Sequence, residues 1–141
     1  MNLKHTIEEQ LILHEGLRTK VYTCPAGKLT IGVGRNLEDK GITKNEALFL
    51  LQNDIAECRN DLRNFWWFER LDPIRQKVLI DMRLNLGSAG FRQFKKMIAC
   101  LEVGDYAGAS DQMMDSRWYK QVGDRGKRLV RMMYTGEDYD K

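Results

Sequence analysis

A carboxyl, a thiol and a hydroxyl, those of Glu15, Cys24 and Thr30, fall close together near the beginning of the chain. Cleaving a glycosidic bond needs a carboxylic acid beside the leaving oxygen and, across the sugar, a second group that attacks or helps water attack. Glu15 suits the first task because it stands in His14-Glu15-Gly16-Leu17-Arg18, where a helical pattern gives way to alternation and packing could hold the side chain still. A Glu at a helix end is ordinarily a solvated surface group. What distinguishes this one is the segment after it.

From Thr19 to Gly34 the apolar period becomes two, as in a strand. Val21 alternates with Tyr22, and Leu29, Ile31 and Val33 alternate with Thr30, Gly32 and Gly34. Pro25-Ala26-Gly27-Lys28 supplies a turn, so a β-hairpin is expected. Parity puts Tyr22 and Cys24 on one face of the first strand, and Thr30, Gly32 and Gly34 on one face of the second. That second face is almost bare, as a surface that admits a sugar ring to the backbone would be. If Cys24 shares it, Cys24 and Thr30 together could hold a water near Glu15. A plain edge hairpin with turn glycines has the same pattern, and the cross-strand register that separates the two readings is not legible in the sequence.

The helix leading to Glu15 opens on the capping box Thr6-Ile7-Glu8-Glu9, runs to about His14, and is ended by Gly16. A second capping box, Thr43-Lys44-Asn45-Glu46, opens a long helix reaching about Arg63, with Ala47, Leu50, Leu51, Ile55, Cys58 and Leu62 along one side. Asp72-Pro73 suits an N-cap and first helical position, and Ile74, Val78, Leu79 and Met82 form the stripe that follows. Gly87 and Gly90 are expected to stop that helix, with further helices around Phe91 to Leu101, Asp105 to Met114 and Asp124 to Met133. Met113, Met114, Met132 and Met133 read as core filler. The expected fold class is α+β, predominantly helical. One domain is built from a small lobe with a β-hairpin, about residues 15–55, joined by the long helix to an all-helical lobe of about residues 1–14 plus 60–141, with a cleft between them.

Composition narrows the function classes. With 43% apolar and 30% charged residues the chain is an ordinary globular one. It has no apolar run of the roughly 18 to 20 residues a membrane span needs, and Met1-Asn2-Leu3-Lys4-His5-Thr6 lacks the apolar block of a secretory signal. Accumulation in the cytoplasm is therefore expected. Cys24, Cys58 and Cys100 are odd in number and read as free thiols, the latter two as small core residues. His5 and His14 belong to no ligand-spaced cluster, so neither metal nor cofactor is expected. The net charge of +3 favours encounter with an anionic polymer. Arg117, Lys120, Arg125, Lys127, Arg128 and Arg131 form either a solvated helix face or a polyanion-facing patch. Nucleic acid is not the expected partner, because no long basic run occurs and the hairpin lacks an exposed aromatic row.

The run Glu15-Gly16-Leu17-Arg18, then Tyr22, Gly27 and Thr30-Ile31-Gly32-Val33-Gly34, resembles the signature of the phage-type lysozyme (endolysin) family of glycoside hydrolases. Asn85-Leu86-Gly87 with Phe91 is similar to that family's substrate-side helix junction. Ser116-Arg117-Trp118, followed by Arg125, Lys127-Arg128 and Thr135-Gly136, is similar to its C-terminal helices, so the resemblance spans nearly the whole chain. It implies a lysozyme-like fold and hydrolysis of the β-1,4 bond between N-acetylmuramic acid and N-acetylglucosamine in peptidoglycan. By position it implies Glu15 as general acid, Thr30 as the group orienting the attacking water, Arg125 as the partner of the catalytic Glu, and Arg117 as a cleft residue near substrate. Gly32, Gly34 and Asn85 fall at substrate-binding or supporting positions, and Trp118 is expected to pack beneath the C-terminal helices. For both arginines, ordinary surface charge is the plainer alternative. A monomer is implied, released from the host cytoplasm to the wall through a membrane lesion made by a separate holin.

The chain departs from the family pattern twice, with Cys24 where Asp is usual and Arg35 where a His commonly follows the second Gly. A thiol with a pKa of about 8.5 is a poorer base than Asp at neutral pH unless its surroundings lower that value. Cys24 then orients water, acts as a thiolate base or nucleophile, or merely fills space. Glu38 and Asp39 are either a substitute carboxylate or solvated loop residues. The rival to hydrolysis is a non-catalytic peptidoglycan-binding protein of the same fold, against which the joint presence of Glu15, Thr30 and Arg125 argues.

Overall fold

The structure is a computed structural model describing residues 3–140. Its elements are α1 (Ile7–Glu15), β1 (Arg18–Thr23), β2 (Leu29–Gly32), β3 (Arg35–Asn36), α2 (Lys44–Leu62), α3 (Pro73–Arg92), α4 (Lys95–Glu102), α5 (Tyr106–Met114), α6 (Arg117–Val122) and α7 (Asp124–Thr135). Internal packing divides the chain into two compact units, one ending at Leu50 and the other beginning at Leu51.

In the first unit the capping box of α1 forms as expected. The Glu9 amide donates to Thr6 Oγ1 at 3.1 Å and the Glu9 carboxylate accepts from the Thr6 amide at 3.5 Å, a device contributing about 1 kcal/mol. Gly16, with φ 79°, ends the helix and returns its N–H to the Ile12 carbonyl at 2.8 Å. Glu15 is thereby fixed as the last helical residue. The hairpin closes through a three-residue loop. Gly27 donates to the Cys24 carbonyl at 2.8 Å, Cys24 donates to the Lys28 carbonyl at 2.9 Å, and Gly27 takes φ 82°, the usual geometry for this loop length.

Expectation and structure differ on the sheet in two ways. A third antiparallel strand, β3, pairs Asn36 with Thr30 and Arg35 with Ile31, which makes β2 central. Two paired residues carry no readable period. The alternation of β2 also points opposite to simple hydrophobicity: Thr30 is 2% exposed, whereas Leu29 and Val33 are exposed. The second capping box forms too, with the Thr43 amide on Glu46 Oε1 at 2.8 Å and the Glu46 amide on Thr43 Oγ1 at 3.1 Å.

The second unit is helical around one core. Cys58 and Leu62 of α2, Trp67 and Phe68 of the following turn, and Val78, Leu79 and Met82 of α3 are buried, together with Phe91, Met97, Leu101, Met113, Trp118, Leu129, Met132 and Met133. Asp72 caps α3 by accepting from the Arg75 amide at 2.9 Å, with Pro73 at its first position. α5 packs against α4 and α7, and α7 against α3 and α6.

Some expectations need correction here. Gly87, at φ 77°, does break α3, but helical geometry resumes and continues through Gly90 to Arg92. Gly90 lies against Leu86, where an added Cβ would sit 3.3 Å from the Leu86 Cβ, so close packing explains this glycine. Phe91 therefore belongs to α3, and α4 starts later, at Lys95. Met114 is 42% exposed, outside the core, and Cys100 is half-buried. α6 is a separate helix too short to show a period. Among the described residues no helix is long and apolar enough to cross a membrane.

Candidate active site

Five of the residues singled out above belong to the first unit, and the structure gathers them around the hairpin. A Cβ built on Gly34 would stand 2.7 Å from Glu15 Oε2 and 3.1 Å from its carboxyl carbon. The carboxyl of the last helical residue thus rests directly on the backbone of the β2–β3 turn, in space that exists because position 34 has no side chain. Glu15 itself is exposed, so its carboxyl faces open space above that glycine. Gly32 and Gly34 both take positive φ, 70° and 68°, a conformation glycine adopts at no steric cost. Space is open on the side where a Gly32 side chain would lie.

Cys24 follows directly on the last residue of β1. Tyr22 stands opposite Thr30, and Cys24, two residues beyond Tyr22, points the same way. Thr30 Oγ1 lies 2.9 Å from the Lys28 carbonyl and also neighbours the Cys24 sulfur, so its single hydrogen goes to the carbonyl or to the thiolate in turn. The Cys24 thiol is held below the ordinary thiol range, first by the backbone amide of Lys28, then by the Ala26 amide and the Thr30 hydroxyl, with some opposing desolvation. Donors aimed at sulfur favour the thiolate. Cys24 is half-buried and free. Thr30 is 2% exposed and Cys24 half-buried, so the sulfur is the more open of the two groups.

Neighbouring acids and bases are committed elsewhere in this unit. Glu38 Oε1 accepts from the Leu29 amide at 2.9 Å, and Asp39 accepts from Asn36 Nδ2 at 3.0 Å and pairs with Lys28 at 3.4 Å. Both carboxylates tie the loop after β3 back to the start of β2. Arg35, at the position where the resemblance would have placed a His, donates to Glu46 Oε1 at 2.8 Å and to the Gly41 carbonyl at 3.3 Å. The pair holds Glu46 down at about 2, through the Arg35 guanidinium first and the Thr43 amide second. Glu46 was visible in the sequence as a cap; its service to Arg35 was not.

Asn85, Arg117 and Arg125 belong to the second unit. Asn85 Oδ1 accepts from Trp118 Nε1 at 2.8 Å, and Trp118, 4% exposed, sets its edge on Phe94 at 6.1 Å. Trp118 packs in the core as expected. Arg117 is the exposed first residue of α6, behind the N-cap Ser116, whose hydroxyl accepts from the Tyr119 amide at 3.1 Å. Arg125 is half-buried on α7 and its guanidinium grips Asp81 of α3, at 2.7 Å from Nε and 2.6 Å from Nη2. Asp81 was missed from the sequence, where nothing links it to a residue so distant in the chain. Among the described residues no group of His, Cys, Asp and Glu could hold a metal ion.

Comparison with known proteins shows the family of the chain. The phage lysozyme family profile matches residues 13–133. The chain is 34% identical over 123 residues to an endolysin of Acyrthosiphon pisum secondary endosymbiont phage 1, covering 82% of this chain and 81% of that protein. It is 26% identical over 167 residues to the pre-baseplate central spike protein Gp5 of Enterobacteria phage T4, covering 96% of this chain but spanning only 28% of that protein's length. A probable T4-type lysozyme of Dictyostelium discoideum is 24% identical, with 93% of this chain and 95% of that protein covered. With Glu15, the hairpin and most of the helical unit inside the matched region, the chain belongs to the phage lysozyme family.

Proposed function

We propose that the chain is an endolysin, a glycoside hydrolase that cuts the β-1,4 bond between N-acetylmuramic acid and N-acetylglucosamine in peptidoglycan. The observation that carries this reading is the placement of the Glu15 carboxyl on the bare backbone of Gly34, beside a hairpin whose Cys24 and Thr30 share one face. Glu15 delivers its proton to the bridging oxygen as the bond from the anomeric carbon breaks. Water attacks that carbon from the other side, oriented by Thr30, and gives up its proton to the Cys24 sulfur. Gly32 and Gly34 let the sugar approach the backbone, and Asn85, Arg117 and Arg125 serve as substrate-side and supporting residues. As an endolysin the chain acts in host lysis as a monomer, waiting in the cytoplasm until a separate holin opens the membrane.

The test is digestion of purified peptidoglycan, followed by borohydride reduction and analysis of the released fragments. New ends reduced to muramitol are expected. Ends reduced to glucosaminitol would reassign the bond, and sedimentation of the protein with walls without any product would leave a non-catalytic wall binder.

A further inference from the structure

Strand β2 lies between β1 and β3, and at Leu29, its first residue, the side facing β3 is only half closed by backbone. The Leu37 amide donates to the Leu29 carbonyl at 2.8 Å. In an antiparallel ladder the Leu37 carbonyl would take the Leu29 amide in exchange. That carbonyl instead accepts from the Gly41 amide at 3.0 Å, because the chain turns away after β3. Glu38 Oε1 supplies the missing acceptor, 2.9 Å from the Leu29 nitrogen.

What this rung holds is the turn beside Cys24. The Leu29 amide and the Lys28 carbonyl belong to one rigid peptide plane. That carbonyl accepts from the Cys24 amide at 2.9 Å and lies 2.9 Å from Thr30 Oγ1. The Lys28 amide, on the other side of the same residue, is the foremost of the donors that face the Cys24 sulfur. The loop after β3 thus grips the peptide that follows Lys28, and Lys28 grips Cys24 through both its amide and its carbonyl. Among the described residues no charged side chain contributes to the state of the thiol. Of the charged groups around it, Asp39 pairs with Lys28 Nζ at 3.4 Å, Arg18 lies over the Tyr22 ring at 4.3 Å, and Glu15 rests against Gly34. The sulfur therefore depends on how firmly the turn aims its amides.

We propose that Glu38 is a positioning residue for Cys24, closing the rung at Leu29 in place of a strand carbonyl and so keeping the Lys28 amide aimed at the sulfur. Its consequence for hydrolysis rests on the reading of Cys24 as the group that takes the proton of water. Without an acceptor at position 38 the peptide between Lys28 and Leu29 is free to turn towards solvent, and the sulfur loses a donor that favours its thiolate. Loss of a nearby negative charge alone would act the other way, favouring the thiolate. The direction of the change therefore separates the two effects.

The test is the pH dependence of iodoacetamide alkylation at Cys24 in the full chain, read by peptide mass spectrometry so that Cys58 and Cys100 do not contribute. Glu38→Ala should raise the midpoint by about one unit, which is roughly tenfold less thiolate at pH values below both midpoints. Glu38→Gln keeps a carbonyl oxygen able to accept from the Leu29 amide and should stay close to wild type. Glu46→Gln, which loosens the same unit elsewhere, should leave the midpoint unmoved. On peptidoglycan, the pH profile of Glu38→Ala should move with its thiol. An unmoved or lowered midpoint in Glu38→Ala would overturn the proposal. So would equal rises in the Ala and Gln variants, which would deny that the acceptor oxygen is what counts, or an equal rise in Glu46→Gln, which would make the effect one of general loosening. If the thiol midpoint rises in Glu38→Ala alone and the activity profile does not follow, the positioning of the sulfur stands and Cys24 loses its part as base.

Discussion

At the scale of single residues, Gly34 is the position on which the account of Glu15 leans. Its φ of 68° disfavours any other residue, and a Cβ there would press on the Glu15 carboxyl from 2.7 Å. Gly34→Ala should cost about 1 to 3 kcal/mol of stability through backbone strain and also displace the acid. Gly41→Ala supplies the comparison, because Gly41 has φ 65° with nothing nearer than the Leu37 carbonyl oxygen at 4.0 Å. Thermal melts should show similar losses for both variants, with hydrolysis of peptidoglycan falling only for Gly34→Ala. Cys24 is tested by pH. Because the Lys28 and Ala26 amides and the Thr30 hydroxyl favour its thiolate, wild-type activity should rise with pH through a midpoint below the ordinary thiol value. Cys24→Ser should lose that rise along with about a hundredfold in rate, and Cys24→Asp should move it into the acid range. A Ser variant matching wild type at every pH would leave Cys24 as a water-orienting group alone.

At the scale of elements, the Arg35–Glu46 pair ties β3 to the first turn of α2. Glu46 is held at about 2, down from its ordinary 4.5, so the pair's contribution is complete above the higher value and fades as pH falls towards the lower. The difference in melting temperature between wild type and Glu46→Gln should thus be largest near neutrality and shrink across that window. In the helical unit Asp61 joins Arg83, at 2.6 Å from Nε, to Arg92, at 2.8 Å from Nη2. Arg83 is 11% exposed, so Asp61→Asn should cost about 2 kcal/mol by leaving it short of a partner, measurable by urea unfolding.

The same elements show how far sequence reasoning reaches. Both capping boxes, the hairpin turn and the Asp72-Pro73 start were legible because each is a local device whose residues name their own partners. β3 and α6 were not, since two paired residues and a six-residue helix are too short to express a period. The inward orientation of Thr30 was hidden by register, and the Arg125–Asp81 and Arg35–Glu46 pairs by distance along the chain. Glu15, Cys24 and Thr30 could be nominated from spacing, whereas the amides that tune Cys24 are invisible until the turn is folded.

At the scale of the whole molecule, membership of the phage lysozyme family rests on a match from residue 13 to residue 133. The chain carries a net charge of +3, which should speed encounter with an anionic wall. Its rate on intact walls should fall as salt is raised through the range where the screening length drops below about 10 Å. The fold and charge would serve a wall binder equally well, and the acid is what separates an enzyme from one. Formation of new reducing ends on purified peptidoglycan by wild type and Glu15→Gln, with binding to walls measured in parallel, tests that separation most directly. The account predicts wild-type product, its loss by at least about a hundredfold in Glu15→Gln, and unchanged binding. Equal rates from the two proteins would contradict it.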